Sequence, residues 1–434
     1  MNPWPKSVPD YKWPRAMLAL HRAPARWLAA GAFHLAYLAG RCVSFLQPNR
    51  PAVLVIRTDG IGEAVLAEPM TESLARRYAD HAFHLWAPPA TCELFRAVPY
   101  CDKRTPIPRG GREGNLAVLL QRSWRVNLGY RLGRWNFSAA IYLAGSPEPL
   151  GNWLFSSARA KERWYAPGNT ENQFAAQRAA TSRRASTLMG FPQSSQTPLH
   201  ELTRNAILAR RWDANISRHQ PTIHLDDAAF QSAAKQAHTW RQIGNWLGAS
   251  AVVGVIPAPS AALKKYPARG WGEALRSLWF NHRIVCALLA GEPDRGDVNE
   301  LESELGQIPR LRMARSLDLP AMAALIGSLD GILSVDNGLA HLAMAQDIPT
   351  VVLASGSHPG RFFPWPAIEN GKLSRGVTLN YAMPCAGCGG RCHLNEPECV
   401  TRIEPEQIVI AIMGLLGRRR DFGFTPLPPL RVAG

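Results

Sequence analysis

The stretch Ser334-Val-Asp-Asn-Gly-Leu-Ala-His-Leu-Ala-Met-Ala-Gln-Asp-Ile-Pro-Thr-Val-Val-Leu353 decides the fold. An apolar run, Gly331 to Val335, reads as a buried strand that closes on Asp336-Asn337-Gly338. A helical stretch follows, and then a second strand at Thr350 to Leu353. Asp336 or Asn337 is placed to cap the helix. Gly338 lets a ligand approach the backbone closely. The N–H groups of Gly338, Leu339 and Ala340 are then expected to be free and to form an anion site reinforced by the helix dipole. His341 falls one turn in, at the same mouth. A turn of this kind, at the carboxyl end of a parallel strand, is how a nucleotide diphosphate is held.

The same alternation extends in both directions. Upstream, Ala52 to Ile56 reads as a buried strand, and Val65, Leu66, Met70, Leu74 and Ala75 follow on a helical period. Phe83 to Ala87 and Ala139 to Leu143 read as later strands, with Arg104 to Arg134 between them as a Gly- and Arg-rich loop-helix insertion near the active face. A second series runs Ala251 to Ile256, Arg283 to Ala290, Gly331 to Val335 and Thr350 to Ala354. Strands alternating with helices predict parallel sheets covered on both faces. At 434 residues the chain is too long for one ordinary core. The expected division is a helical extension over 1–50, an α/β domain over 51–220, a second over 221–403, and a terminal helix and tail over 404–434.

The formal net charge is +16, carried mostly by arginine. An anionic partner fits this: phospholipid headgroups, a phosphorylated glycolipid or sugar nucleotides. Nucleic acid fits the charge alone, because no basic-aromatic recognition motif or zinc-finger helix is present. Eight cysteines in a chain of this length, with no signal-peptide pattern at its start, point to the cytosol rather than to a disulfide scaffold. Trp27 to Leu46 approaches the length of a membrane span but contains His34, Arg41 and many small residues. Three readings stay open for it: a helix packed on the first domain or on a second protomer, an interfacial helix on a membrane surface, and a true span. Ser-His-Asp order, HExxH and the Walker A pattern are all absent, which removes common hydrolase and kinase classes.

Four segments in order resemble glycosyltransferase family 9, the heptosyltransferases. They are Val53-Leu-Val-Ile-Arg-Thr-Asp-Gly-Ile-Gly-Glu63, Lys264-Lys-Tyr-Pro-Ala-Arg-Gly-Trp271, the Asp336-x-Gly338-x-x-His341 turn, and the cluster Cys385 to Cys399. The resemblance implies the GT-B fold, in which two Rossmann-like parallel-sheet domains face a cleft. It implies inverting, metal-independent transfer of a heptose or related sugar from an ADP-sugar donor to the lipid-linked core of lipopolysaccharide, at the cytoplasmic face of the inner membrane. A protein O-heptosyltransferase and a non-catalytic nucleotide-sugar-binding scaffold are the alternatives.

Residue roles follow from the same resemblance. The family places an aspartate general base where this chain has Glu63. An ionised carboxylate at a helix N-terminus suits proton abstraction from an acceptor hydroxyl. The extra methylene shifts the oxygens by about 1.5 Å, and misplacement of that order costs on the order of 100-fold. Asp59 is therefore a rival base, and simple capping by Glu63 a third reading. Lys264 matches the lysine beside the diphosphate, where it would neutralise charge on the leaving group, and Tyr266 stands where tryptophan is usual. Glu292 or Asp294 would meet the adenosine ribose. Arg361, in the segment after the strand ending near Ser355, is placed to close over the sugar or meet acceptor phosphate. Cys385-x2-Cys388-x3-Cys392-x6-Cys399 has the spacing of a structural zinc or iron site, with free thiols as the alternative. Cys42, Cys92, Cys101 and Cys286 read as core residues. The terminal helix, Glu404 to Arg418, is one that in GT-B proteins often crosses back onto the first domain.

Overall fold

In the computed structural model, the described residues are 22–46, 50–108, 122–143, 145, 147–166, 175–188, 199–214, 216, 220–289, 295–313, 317–366 and 376–421. By contacts the chain divides into two compact units. Unit 1 holds residues 1–59, 75–92 and 99–192; unit 2 holds 60–74, 93–98 and 193–434. Two short early segments, 60–74 and 93–98, thus group with the later residues.

Unit 1 is built on a six-stranded parallel sheet in the order β3-β2-β1-β4-β5-β6. Its strands are β1 (Ala52–Ile56), β2 (Ala82–Ala87), β3 (Lys103–Pro106), β4 (Phe137–Tyr142), β5 (Ala160–Tyr165) and β6 (Thr187–Leu188). All of β1 and β2 is buried, as a parallel strand covered by helices on both faces requires. Unit 2 carries a second six-stranded parallel sheet, ordered β12-β11-β10-β7-β8-β9. Its strands are β7 (Ala251–Ile256), β8 (Ile284–Leu288), β9 (Arg310–Arg312), β10 (Gly331–Val335), β11 (Thr350–Leu353) and β12 (Gly376–Leu379). Numbered from its own first strand, each sheet has the Rossmann order 3-2-1-4-5-6. The switch points lie between β1 and β4 in unit 1, and between β7 and β10 in unit 2.

The segment expected to be a loop-helix insertion, 104–134, does end in a helix, Arg122–Arg134, which packs on the helix Arg22–Leu46; its first residues belong to edge strand β3. Pro106 is tolerated in β3 because the strand is an edge. The terminal helix, Pro405–Asp421, packs on β10, β11, β12 and the helix Ala268–His282, all of its own unit. Ile408 and Ile412 are fully buried there. That apolar face is satisfied inside unit 2.

Helix starts in unit 2 carry the expected caps. Asp226 accepts from the Ala229 amide at 2.9 Å, and Asp318 from the Ala321 amide at 2.9 Å. Arg96 binds both of these caps, at 2.7 Å to Asp226 and 3.2 Å to Asp318, and so ties one early segment into the unit. Among the eight cysteines, Cys101 and Cys286 are core residues, whereas Cys42 is exposed and Cys92 half-buried. Burial pushes the Cys101 thiol up to about 11 and the Cys286 thiol up to about 12.

Candidate active site at the switch points

In unit 2 the loops after β7 and β10 meet across the switch point. Asn337 is the N-cap of the helix Gly338–Ala345. Its Oδ1 accepts from the amides of Leu339 at 3.0 Å and Ala340 at 3.1 Å. Its Nδ2 donates to the Ala258 carbonyl, on the β7 loop, at 3.1 Å. The cap thus takes two of the three amides expected to be free for an anion, because its own carboxamide oxygen sits where the anion would. Asp336 is held by a Ser260 hydroxyl bond to its carbonyl at 3.3 Å. Its carboxylate pairs with Lys264 Nζ at 2.9 Å. Lys264 also lies 5.9 Å from the centre of the Phe362 ring.

His341 is only 2% exposed. Its ring stacks on Phe363 at 4.3 Å between centroids, and Trp365 Nε1 donates to its Nδ1 at 3.0 Å. Burial first, then the nearby His200 and Lys264, hold its pKa well below the usual histidine value. A neutral ring that accepts at Nδ1 carries its proton on Nε2, so His341 is an uncharged donor at neutral pH.

The helix Ile61–Leu66 belongs to this same unit and lies against the start of Gly338–Ala345. A Cβ on Gly62 would come within 2.6 Å of His341 Cδ2, and one on Gly338 within 2.9 Å of Ile61 Cβ. Both positions therefore require glycine, for close approach and not for an unusual dihedral. Half-buried Glu63 occupies the first turn of that helix, three residues after its N-cap, Gly60. Asn205 Nδ2 donates to the Leu66 carbonyl at 3.0 Å, and Glu68 accepts from the Thr222 amide at 2.9 Å.

Sequence reasoning did not find the cluster beside His341. Glu201 is buried between Arg204 at 3.1 Å and Arg361 at 2.9 Å. Burial alone would raise its pKa, but the two arginines outweigh that and lower it. His200 accepts from the Leu202 amide through Nδ1 at 3.1 Å, and its Nε2 donates to the Phe362 carbonyl at 3.0 Å. These bonds set the 361–365 loop that presents Phe363 and Trp365 to His341. Arg361 was noticed, but as a sugar or phosphate contact; here its guanidinium is an ion-pair partner. Tyr266 is structural: its hydroxyl donates to the Ile403 carbonyl at 2.7 Å, and its ring meets Trp271 edge-on at 5.3 Å. Glu292 and Asp294 lie outside the described residues.

Unit 1 has its own switch-point contacts. Thr58 Oγ1 and Tyr142 Oη are 2.9 Å apart. Asp59 is buried in a two-point ion pair with Arg57, Nε to Oδ1 at 3.0 Å, with Arg57 Nη2 on Oδ2. The Gly145 amide also donates to Asp59, at 3.4 Å. Asp59 is thus held in place by Arg57 and the Gly145 amide.

The cysteine loop is shaped by backbone. Gly387, Gly389 and Gly390 adopt φ of 91°, 63° and 81°. The amides of Gly387 and Gly389 donate to the carbonyls of Gly356 and Ser357 at 2.8 and 3.0 Å. Burial, with added repulsion from Cys388, Cys392 and Cys385, raises the Cys399 thiol. Yet among the described residues no group of three or more His, Cys, Asp or Glu side chains is arranged to hold a metal ion. All four cysteines are free. The loop that carries them is held by its glycine turns and amide bonds.

Residues 178–385 match the profile of glycosyltransferase family 9 (heptosyltransferase). The chain carries a glycosyltransferase family 9 domain. The matched stretch contains Lys264, Asp336 to His341 and Arg361, whereas Asp59 and Glu63 precede it. No curated protein gives a significant match. Among solved structures, the family 9 glycosyltransferase of Veillonella parvula is 12% identical with a TM-score of 0.65, covering 85% of this chain and 98% of that one. The ADP-heptose lipopolysaccharide heptosyltransferase II of E. coli is 17% identical, TM-score 0.57, over 85% and 99% of the two chains. E. coli heptosyltransferase WaaC, solved with ADP, is 15% identical, TM-score 0.59, over 84% and 99%. At such identities the likeness is one of fold, and it is the GT-B fold of two parallel-sheet domains. The family 9 domain makes this chain a glycosyltransferase.

Proposed function

We propose that this glycosyltransferase moves a heptose, or a closely related sugar, from an ADP-sugar to a lipopolysaccharide core acceptor, with inversion at the anomeric carbon. The observation that carries the reading is the close approach of Gly62 to His341 and of Gly338 to Ile61. It brings a helix-borne carboxylate, Glu63, and a neutral donor on the β10 turn into one unit. The E. coli relatives are described as acting with ADP-heptose or binding ADP, which supports the choice of donor.

In this reading the acceptor hydroxyl gives its proton to Glu63 as its oxygen forms the new bond to the anomeric carbon. The bond from that carbon to the diphosphate breaks, and its electron pair leaves on ADP. Lys264 and the Nε2–H of His341 hold that charge. Lys264 must first exchange the Asp336 carboxylate for phosphate, and its ammonium is partly open to solvent for that exchange. A neutral His341 donor needs no protonation event, so donor binding should be insensitive to pH around neutrality.

Calorimetry with ADP, UDP and GDP, on the wild type and His341→Ala, tests the donor. Selective ADP binding that weakens in the variant is expected; preference for UDP or GDP overturns the donor assignment. With ADP-heptose as donor, Glu63→Gln should lower turnover by about 100-fold or more while sparing ADP affinity. Undiminished turnover removes Glu63 as the base.

A further inference from the structure

The helix Arg22–Leu46 rests on unit 1 by one face. Its inward residues Phe33, Tyr37 and Gly40 are buried. Glycines bring it almost backbone to backbone with Arg122–Arg134. A Cβ on Gly133 would lie 2.0 Å from the Tyr37 carbonyl oxygen, one on Gly40 2.3 Å from that of Tyr130, and one on Gly129 2.6 Å from that of Phe33. Phe33 also meets Trp153 edge-on at 5.0 Å. Such close seating fixes the rotation of the helix about its axis, and with it the direction of its other face. That other face carries Leu35, Leu38, Phe45 and Leu46, which are 71, 59, 87 and 77% exposed. Their spacing follows one helical stripe. A contiguous apolar stripe of this size on a surface marks an interaction site.

Positive charge lies on the elements that pack around this helix. A pocket of about 650 Å³ on the helix Arg122–Arg134 is lined by Lys103, Arg131 and Arg134 beside Tyr130 and Trp135. Lys103 Nζ lies 4.8 Å over the Trp135 ring. A second pocket, of about 610 Å³, shares Phe33 and Tyr37 with the helix itself and is lined by Arg159, Arg163 and Arg184, the last two also bonded to main-chain carbonyls of residues 155–158. Burial and the charges of Arg131 and Arg134 lower the Lys103 pKa; burial and Arg184 lower that of Arg163. The helices Arg22–Leu46, Arg122–Arg134, Pro149–Ser157 and Ala175–Arg184 contain no Asp or Glu.

We propose that this face of unit 1 docks on an anionic phospholipid surface, with the helix Arg22–Leu46 lying in the plane of the interface. The stripe enters the headgroup and upper acyl region, and the two basic pockets take lipid phosphates. Among the described residues no helix is long and apolar enough to cross a membrane, so the helix lies along the surface. A second copy of the chain suits the stripe less well, because two-fold pairing would set cationic flank against cationic flank. The inference is independent of the donor and acceptor assigned above.

Cosedimentation of the full chain with phosphatidylcholine vesicles, with and without phosphatidylglycerol, tests it. The wild type is expected to bind the anionic vesicles, to ignore the neutral ones, and to be released by salt. Leu38→Glu with Phe45→Glu, and separately Arg131→Ala with Arg134→Ala, should each lower vesicle partition about tenfold or more. Unchanged circular dichroism and thermal midpoint show that these variants remain folded. A wild type that ignores anionic vesicles, or binds both kinds alike, overturns the proposal. So does a lipid-free dimer that Phe45→Glu converts to monomer, which would assign the stripe to a second copy.

Discussion

His341 is fixed as a donor by a residue 24 positions away, Trp365, whose indole N–H fills its Nδ1. Trp365→Phe removes that bond and leaves the tautomer unspecified. The expected cost is about 1 kcal/mol of stability with a severalfold loss of ADP affinity, and imidazole nitrogen shifts should show the Nε2–H form only in the wild type. His84 behaves differently. It is buried against Trp135 and Phe137, and burial first, then the Lys103 charge, push its pKa down to about 4. The unfolded chain takes this proton near pH 6.5 and the folded chain only near 4, so stability falls as pH drops through that window. His200 and His341 act in the same direction. His84→Phe should make the decline of the urea midpoint between pH 6.5 and 4 shallower; an identical decline would clear His84 of any part in it. Of these side chains, Lys264 and His341 were legible because each sits in a motif beside a strand end. Glu201, His200 and Trp365 were not, since an ion pair or a tautomer lock between distant loops leaves no spacing to read.

At the scale of elements, the pair Arg22–Leu46 and Arg122–Arg134 is the strictest packing in unit 1. Gly133→Ala places a methyl against the Tyr37 backbone and should cost about 1–3 kcal/mol by forcing the helices apart. Gly31→Ala is the control: nothing lies within 4 Å of its Cβ, so it should leave the thermal midpoint unchanged or raise it. Strand legibility tracked burial. The continuous apolar runs of β1, β7 and β10 announced themselves, whereas Lys103–Pro106, Ala160–Tyr165 and Arg310–Arg312 carry charges along outer strands and show no apolar run to read. The capping of Gly338–Ala345 was anticipated, but not that Asn337 would use up the amides meant for a ligand. Cap and anion compete for the same donors, and sequence does not rank them.

For the whole molecule, two parallel-sheet units were expected from alternating strands and helices, but their membership was not. A linear reading assigns each residue to the nearest domain. Contacts assign 60–74 and 93–98 to the later unit, because the faces of Ile61–Leu66 and of Arg96 find their partners there. Cutting the chain between 192 and 193 should therefore fail to give two independently folded pieces, while coexpression of the pieces should recover a soluble complex. Two soluble, cooperatively melting fragments made separately would contradict that division.

That membership also shapes how the protein is made. Ile61–Leu66 leaves the ribosome early, yet its partner Gly338–Ala345 is synthesised about 270 residues later, a delay on the order of tens of seconds at ordinary elongation rates. Until then the face of Ala64, Val65 and Leu66 that meets that helix stays open on the nascent chain, although Glu201–Arg210 reaches the same helix sooner. Slowing translation between these two points should therefore lower the soluble yield of the glycosyltransferase more than slowing it elsewhere.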